Sequence, residues 1–157
     1  MIGKTDLINL NPDDPRLLQF GKIASIFNST CLGMEALGFD LVFISRKKAE
    51  KAPLTPQALQ LHCDNIRIGA IQYEGHNHIH LSENMPDTVS LRFERKQLEK
   101  LNKPWKDKLE KVMGPYRKDR LDDKECTNVK AQSIAFRLPP NPNLFDQLIQ
   151  DIKVAII

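Results

Sequence analysis

Four histidines fall within nineteen residues of this chain, at His62, His76, His78 and His80. Three of them crowd into the run Gly75-His76-Asn77-His78-Ile79-His80-Leu81. Along a β-strand alternate side chains share a face, so His78 and His80 point one way and Ile79 and Leu81 the other. Cα atoms two residues apart in a strand are separated by about 6.8 Å. Both rings can then lean onto one divalent ion at the ~2.0–2.1 Å of a zinc–nitrogen bond. His76 and His80 stand about twice as far apart, so at most two strand histidines serve one ion unless the turn folds His76 back. A further ligand has to come from elsewhere, and His62, Glu74, Glu83 and Cys63 are the candidates. Zinc, manganese or magnesium held this way would polarise a phosphate and supply a bound water as nucleophile. Glu74, and Tyr116 as an alternative nucleophile, complete the candidate catalytic set. The same histidines also suit a polar sheet face with ordinary hydrogen bonds, or a contact tuned by pH.

The elements that must position these residues are legible from periodicity. After a polar lead-in over residues 1–12, Asp14-Pro15 caps a helix expected over 15–28, where Leu17, Phe20, Ile23, Ala24 and Phe27 recur at helical spacing. Gly33 and Gly38 leave its continuation open. Phe39 to Ile44 reads as a buried strand, and the charged stretch Arg46 to Pro56 as an exposed connection. Thr55-Pro56 repeats the cap-plus-proline signal and predicts a short helix through Leu61. Ile66, Ile68 and Ala70 alternate with Arg67 and Gly69 as a half-buried strand. A turn at Glu74-Gly75 then makes His78 to Ser82 its hairpin partner. Thr88 to Phe93 is a further strand.

Leu98, Leu101, Trp105, Leu109 and Val112 form a helical stripe over 95–113. Pro104 divides it into two helices or kinks it, and Gly114-Pro115 is expected to end it. The polar stretch 116–128 reads as a mobile loop, Ser133 to Leu138 as a strand, and Leu144, Leu148, Ile152, Ala155 and Ile156 as one face of a final helix. The apolar end from Val154 to Ile157 is costly to leave in water, so it is expected on the sheet or in a subunit contact. The expectation is one α+β domain spanning 1–157. Its antiparallel or mixed sheet of about five strands is packed by N-terminal, middle and C-terminal helices.

Composition narrows the function classes. With 157 residues, 41% hydrophobic, the chain is long enough for a core without disulfides. Twenty-three Lys and Arg against 20 Asp and Glu give a formal charge of +3, mild beside a dedicated duplex-DNA binder. Nucleic acid or a nucleotide remains an acceptable partner. No apolar run approaches the ~20 residues of a membrane helix. Cys31, Cys63 and Cys126 are odd in number and far apart, which fits free thiols in the cytoplasm.

His78-Ile79-His80 resembles the histidine–hydrophobic–histidine signature of HUH endonucleases. That resemblance implies a divalent ion on the two histidines and a tyrosine nucleophile joined covalently to DNA. Only Tyr73 and Tyr116 are available for that role, and neither falls on an expected helix. More of the chain is similar to uncharacterised luciferase-like domains. There the likeness rests on His78 and His80, Asp87, the VSLRF strand, IAFRL and the final helix. It departs in placing His76, not His78, directly after the glycine, and in its long basic loop. It implies a compact α+β fold and no assigned activity.

Other motifs fail on geometry. Pro86-Asp87 with Glu94-Arg95-Lys96 reads like a PD-(D/E)xK nuclease signature, but on one extended strand Asp87 and Glu94 stand about 23 Å apart. His76-x-His78 with Glu83 lacks the glycine a cupin needs downstream. Asp119, Asp122, Asp123 and Glu125 lack calcium-loop spacing. Lysines and arginines over 92–111 alternate with Glu94, Glu99, Asp107 and Glu110, as on an ordinary exposed helix. Two function classes follow. One is a divalent-metal-dependent phosphodiesterase or hydrolase acting on nucleic acid or nucleotides through the His strand. The other is a non-enzymatic binding or interaction module with structural or pH-tuning histidines. Its partner, or a second copy, would meet the C-terminal helix or the basic helix 95–113.

Overall fold

Alternation of inward apolar and outward polar residues governs most of the sheet, with Val42, Ala70 and Ala135 as apolar members of the outward set. In the computed structural model, which describes residues 23–43, 59–74, 87–119, 121 and 133–157, five strands run in the order β1-β2-β3-β4-β5, each antiparallel to its neighbour. They are β1 (Asp40–Phe43), β2 (Leu59–Cys63), β3 (Ile66–Glu74), β4 (Thr88–Glu94) and β5 (Ser133–Arg137). Four α-helices accompany them among the described residues: α1 (Ala24–Ala36), α2 (Arg95–Glu99), α3 (Trp105–Tyr116) and α4 (Pro142–Ile156). A 3₁₀ turn, Arg117–Asp119, follows α3. This is an α+β fold. No helix among the described residues is long and apolar enough to cross a membrane.

One face of the sheet carries Leu41, Leu61, Ile71, Leu91, Phe93 and Phe136, all buried in a single core with α1, α3 and α4. The pairing explains the layer: Leu91 lies between Ile71 and Phe136, and Phe93 between Gly69 and Ile134. Gly69 is required by close approach, because a Cβ there would stand 2.0 Å from the Arg92 carbonyl oxygen.

Of the helix expected from Thr55 through Leu61, residues 55–58 lie outside the described residues and the remainder is corrected: Leu59–Cys63 is a strand hydrogen-bonded on both edges. Its period-2 pattern, Leu59, Leu61 and Cys63 inward, outweighs the local cap-plus-proline signal. Asp64 and Asn65, with φ of 51° and 63°, close the β2–β3 hairpin as a two-residue turn of left-handed residues. The segment 75–86, with the expected partner His78 to Ser82, lies outside the described residues. Along Gly69–Glu74 one edge of β3 pairs with β4.

Both glycines of the first helix have distinct uses. A Cβ on Gly33 would lie 2.7 Å from Ile149 Cδ1, so this residue lets α1 and α4 cross closely. Gly38 has φ +97° and ends α1, with its N–H donating to Glu35 O at 2.9 Å and the Phe39 N–H to Met34 O at 3.2 Å. That pair of bonds is a Schellman cap. Pro104 separates α2 from α3 as expected. Gly114-Pro115, however, does not end α3, which continues to Tyr116. A proline in the last turn forfeits one hydrogen bond, and the burial of Tyr116 against Phe136 holds the turn in place. Part of the expected mobile loop is therefore structured: residues 116–119 are helical, and the Leu121 N–H donates to Arg137 O at 2.8 Å. The final helix starts at Asn141, whose side chain accepts from the Asn143 N–H at 3.0 Å. It docks through Phe145, Leu148 and Ile152, leaving Val154 and Ile157 exposed.

Candidate functional site

The second face of the sheet is polar. Pairing places Asp40, Gln60, His62, Gln72, Thr88, Ser90, Arg92, Glu94 and Arg137 on it, opposite the core residues of the same strands. A bulge sets its key feature. Leu61 pairs with Gly69 but His62 pairs with Arg67, so β3 carries one extra residue, Ile68, at this point. Ile68 is buried in the core. The extra residue turns Arg67 onto the polar face, beside His62, Gln60 and Glu94.

Hydrogen bonds then link three strands. The Gln60 amide directs its NH₂ at His62 Nε2, 3.0 Å away, and its oxygen accepts from Arg67 Nη1 at 3.1 Å and Nε at 3.3 Å. Arg67 Nη2 donates to Glu94 Oε1 at 3.2 Å, and Arg92 Nη2 stands 4.0 Å from the same oxygen. Two guanidinium groups thus share one carboxylate. Arg67 spends three of its five N–H donors on Gln60 and Glu94, and its side chain is 44% exposed. Burial, and secondarily the Arg67 charge, lower the pKa of His62, while Asp40 opposes them. The imidazole is therefore neutral at pH 7, with the Nε2 lone pair accepting from Gln60.

The sequence-derived site residues separate in space. His62 is on the polar face, at the β2–β3 turn. Glu74 ends β3, roughly 20 Å along the strand from Arg67, the partner of His62. His76, His78 and His80 lie outside the described residues. Tyr116 is on the other side of the sheet, packed edge-to-face on Phe136 with ring centroids 6.1 Å apart. Its hydroxyl donates to Asp151 Oδ2 at 2.5 Å. Burial first, then that bond, raise the phenol pKa far above its ordinary range and keep it protonated. Tyr116 and His62 do not share a site. Among the described residues no group of three or more His, Cys, Asp or Glu could hold a metal ion. Asp87 directly precedes β4 and Glu94 ends it, so the two stay apart on one strand.

Gln60 and Arg67 carry no site signal of their own in the sequence, whereas Arg92 opens the basic run over 92–111. The available signal was the alternation of β2 with its Asp64-Asn65 turn, which fixes the hairpin register. The bulge that brings Arg67 round has no comparable sequence mark.

No family model, curated protein or solved structure matches this chain.

Proposed function

We propose that this chain is a binding module for phosphate-bearing ligands of the nucleotide class, received at the Arg67 end of the polar sheet face. One observation carries the reading: Arg67 and Arg92, on neighbouring strands, face a single carboxylate at a half-open position. Arg67 keeps two N–H donors beyond the three spent on Gln60 and Glu94. Guanidinium groups favour phosphate because their planar fork matches its oxygens. Neutral His62 and Gln60 hold the Arg67 fork in place from behind. The described side chains of this face include no Phe, Tyr or Trp, so recognition rests on phosphate and not on base stacking.

Titration of a fluorescent nucleoside triphosphate, followed by anisotropy at low and high salt, tests the reading. Saturable binding that weakens with salt is expected, with a loss of tenfold or more for Arg67→Ala and a smaller loss for Arg67→Lys. No saturation at millimolar ligand, or equal affinity for Arg67→Ala, overturns it. The metal-dependent hydrolase expected from the His strand keeps this ligand class and adds an ion at His78 and His80. Stoichiometric zinc or manganese binding abolished by His78→Ala is the result that would raise it above a binding module.

A further inference from the structure

The outer surface of the helical layer, on the far side of the sheet from Arg67, presents a second feature. A groove between α3 and α4 is lined by Lys108, Lys111, Val112, Pro115, Asp151 and Ala155. Its floor is apolar, from Val112, Pro115 and Ala155. Both lysines stand on one wall, and both are exposed. The single acidic group, Asp151, is turned to internal work: it accepts from Tyr116 at 2.5 Å and from Gln147 Nε2 at 2.8 Å. Elsewhere on its surface α4 leaves Val154 72% exposed and Ile157 78% exposed, two of the three large apolar residues that stand open among the described residues.

We infer that this groove docks an acidic amphipathic helix of a partner protein. A crevice between two packed helices accepts a third helix, whose apolar face reads as anchors at i, i+3 or i+4, and i+7. Lys108 to Pro115 spans two turns of α3, about 10 Å, the length those anchors cover. The charge sets the partner's chemistry. Lys108 and Lys111 favour carboxylates along one edge of the incoming helix and reject a basic one. This inference is independent of the phosphate-binding reading, because the two surfaces lie on opposite sides of the sheet.

Selection of a random 16-residue peptide library on the full chain, depleted against Lys108→Glu/Lys111→Glu, tests it. Enriched peptides are expected to carry net negative charge and apolar residues at helical spacing. Resynthesised, they should bind the wild-type chain by fluorescence anisotropy and lose tenfold or more in affinity for the double variant. Ala155→Arg, at a partly exposed position, should give a similar loss with unchanged circular dichroism. Failure to enrich, enrichment without acidic bias, or equal binding to the folded Ala155→Arg chain overturns the inference. So does a concentration-dependent dimer in sedimentation that Ala155→Arg abolishes, since the occupant would then be a second copy.

Discussion

The two faces of the sheet are both buried to a large extent, yet they are held by different physics. On the helix-covered face Leu61, Leu91, Phe93 and Phe136 are each 0% exposed and carry no polar atom beyond the backbone. Burial there is driven by apolar area. On the opposite face Gln60, Gln72, Thr88, Ser90 and Arg137 are buried as well. Each of those groups loses water on folding and must find a partner, as Thr88 Oγ1 does by donating to Leu138 O at 2.5 Å. A face held by area tolerates another shape of similar volume. A face held by partners is sensitive to the loss of a single atom, and its part-open end is where a ligand can add to the set.

The sharpest way to break this comparison is at the close backbone approach of β3 and β4 at Gly69. Gly69→Ala should be the most damaging single change, about 3 kcal/mol or more, because its Cβ would meet backbone and not a movable side chain. Urea unfolding measures it, and wild-type stability would contradict the β3–β4 register. Next, Leu91→Ala should cost about 3 kcal/mol by leaving a cavity under the helices. Thr88→Val, three residues away on the polar face, keeps the volume and should cost about 1–2 kcal/mol by orphaning the Leu138 carbonyl. Equal costs would erase the distinction between the faces.

The smallest effect concerns His62. Its folded pKa is lowered, so between that value and the ordinary value near 6.5 the unfolded chain binds more protons. Its contribution is then present in full above about pH 6.5 and is lost as pH falls below it. The sign is destabilisation on acidification. His62→Gln should flatten this part of the stability–pH curve, and an unchanged slope would remove His62 from the network.

Much of the helix-covered face was legible from periodicity. Val89, Leu91 and Phe93 alternate without exception, and Pro104 marks the break between α2 and α3. Two local signals misled because tertiary contacts overrode them. Thr55-Pro56 suggested a helix where β1 and β3 capture Leu59–Cys63 as a strand. Gly114-Pro115 suggested a stop where Tyr116 is anchored by Phe136 and Asp151. The candidate site was less legible. Histidines draw attention by type, and His62 does join the polar face. Gln60 shares that face by the alternation of β2, but Arg67 joins it only through the bulge at Ile68, and a one-residue shift of register leaves no pattern in composition.

The central claim is that the Arg67 end of the polar face receives a phosphate-bearing ligand. Amide chemical-shift mapping of the ¹⁵N-labelled chain during titration with a nucleoside triphosphate tests it most directly. The account predicts perturbations grouped on Gln60–Cys63, Ile66–Ile68 and Arg92–Glu94, and lost in Arg67→Ala. Shifts confined to α3 and α4, or none at millimolar nucleotide, would contradict it.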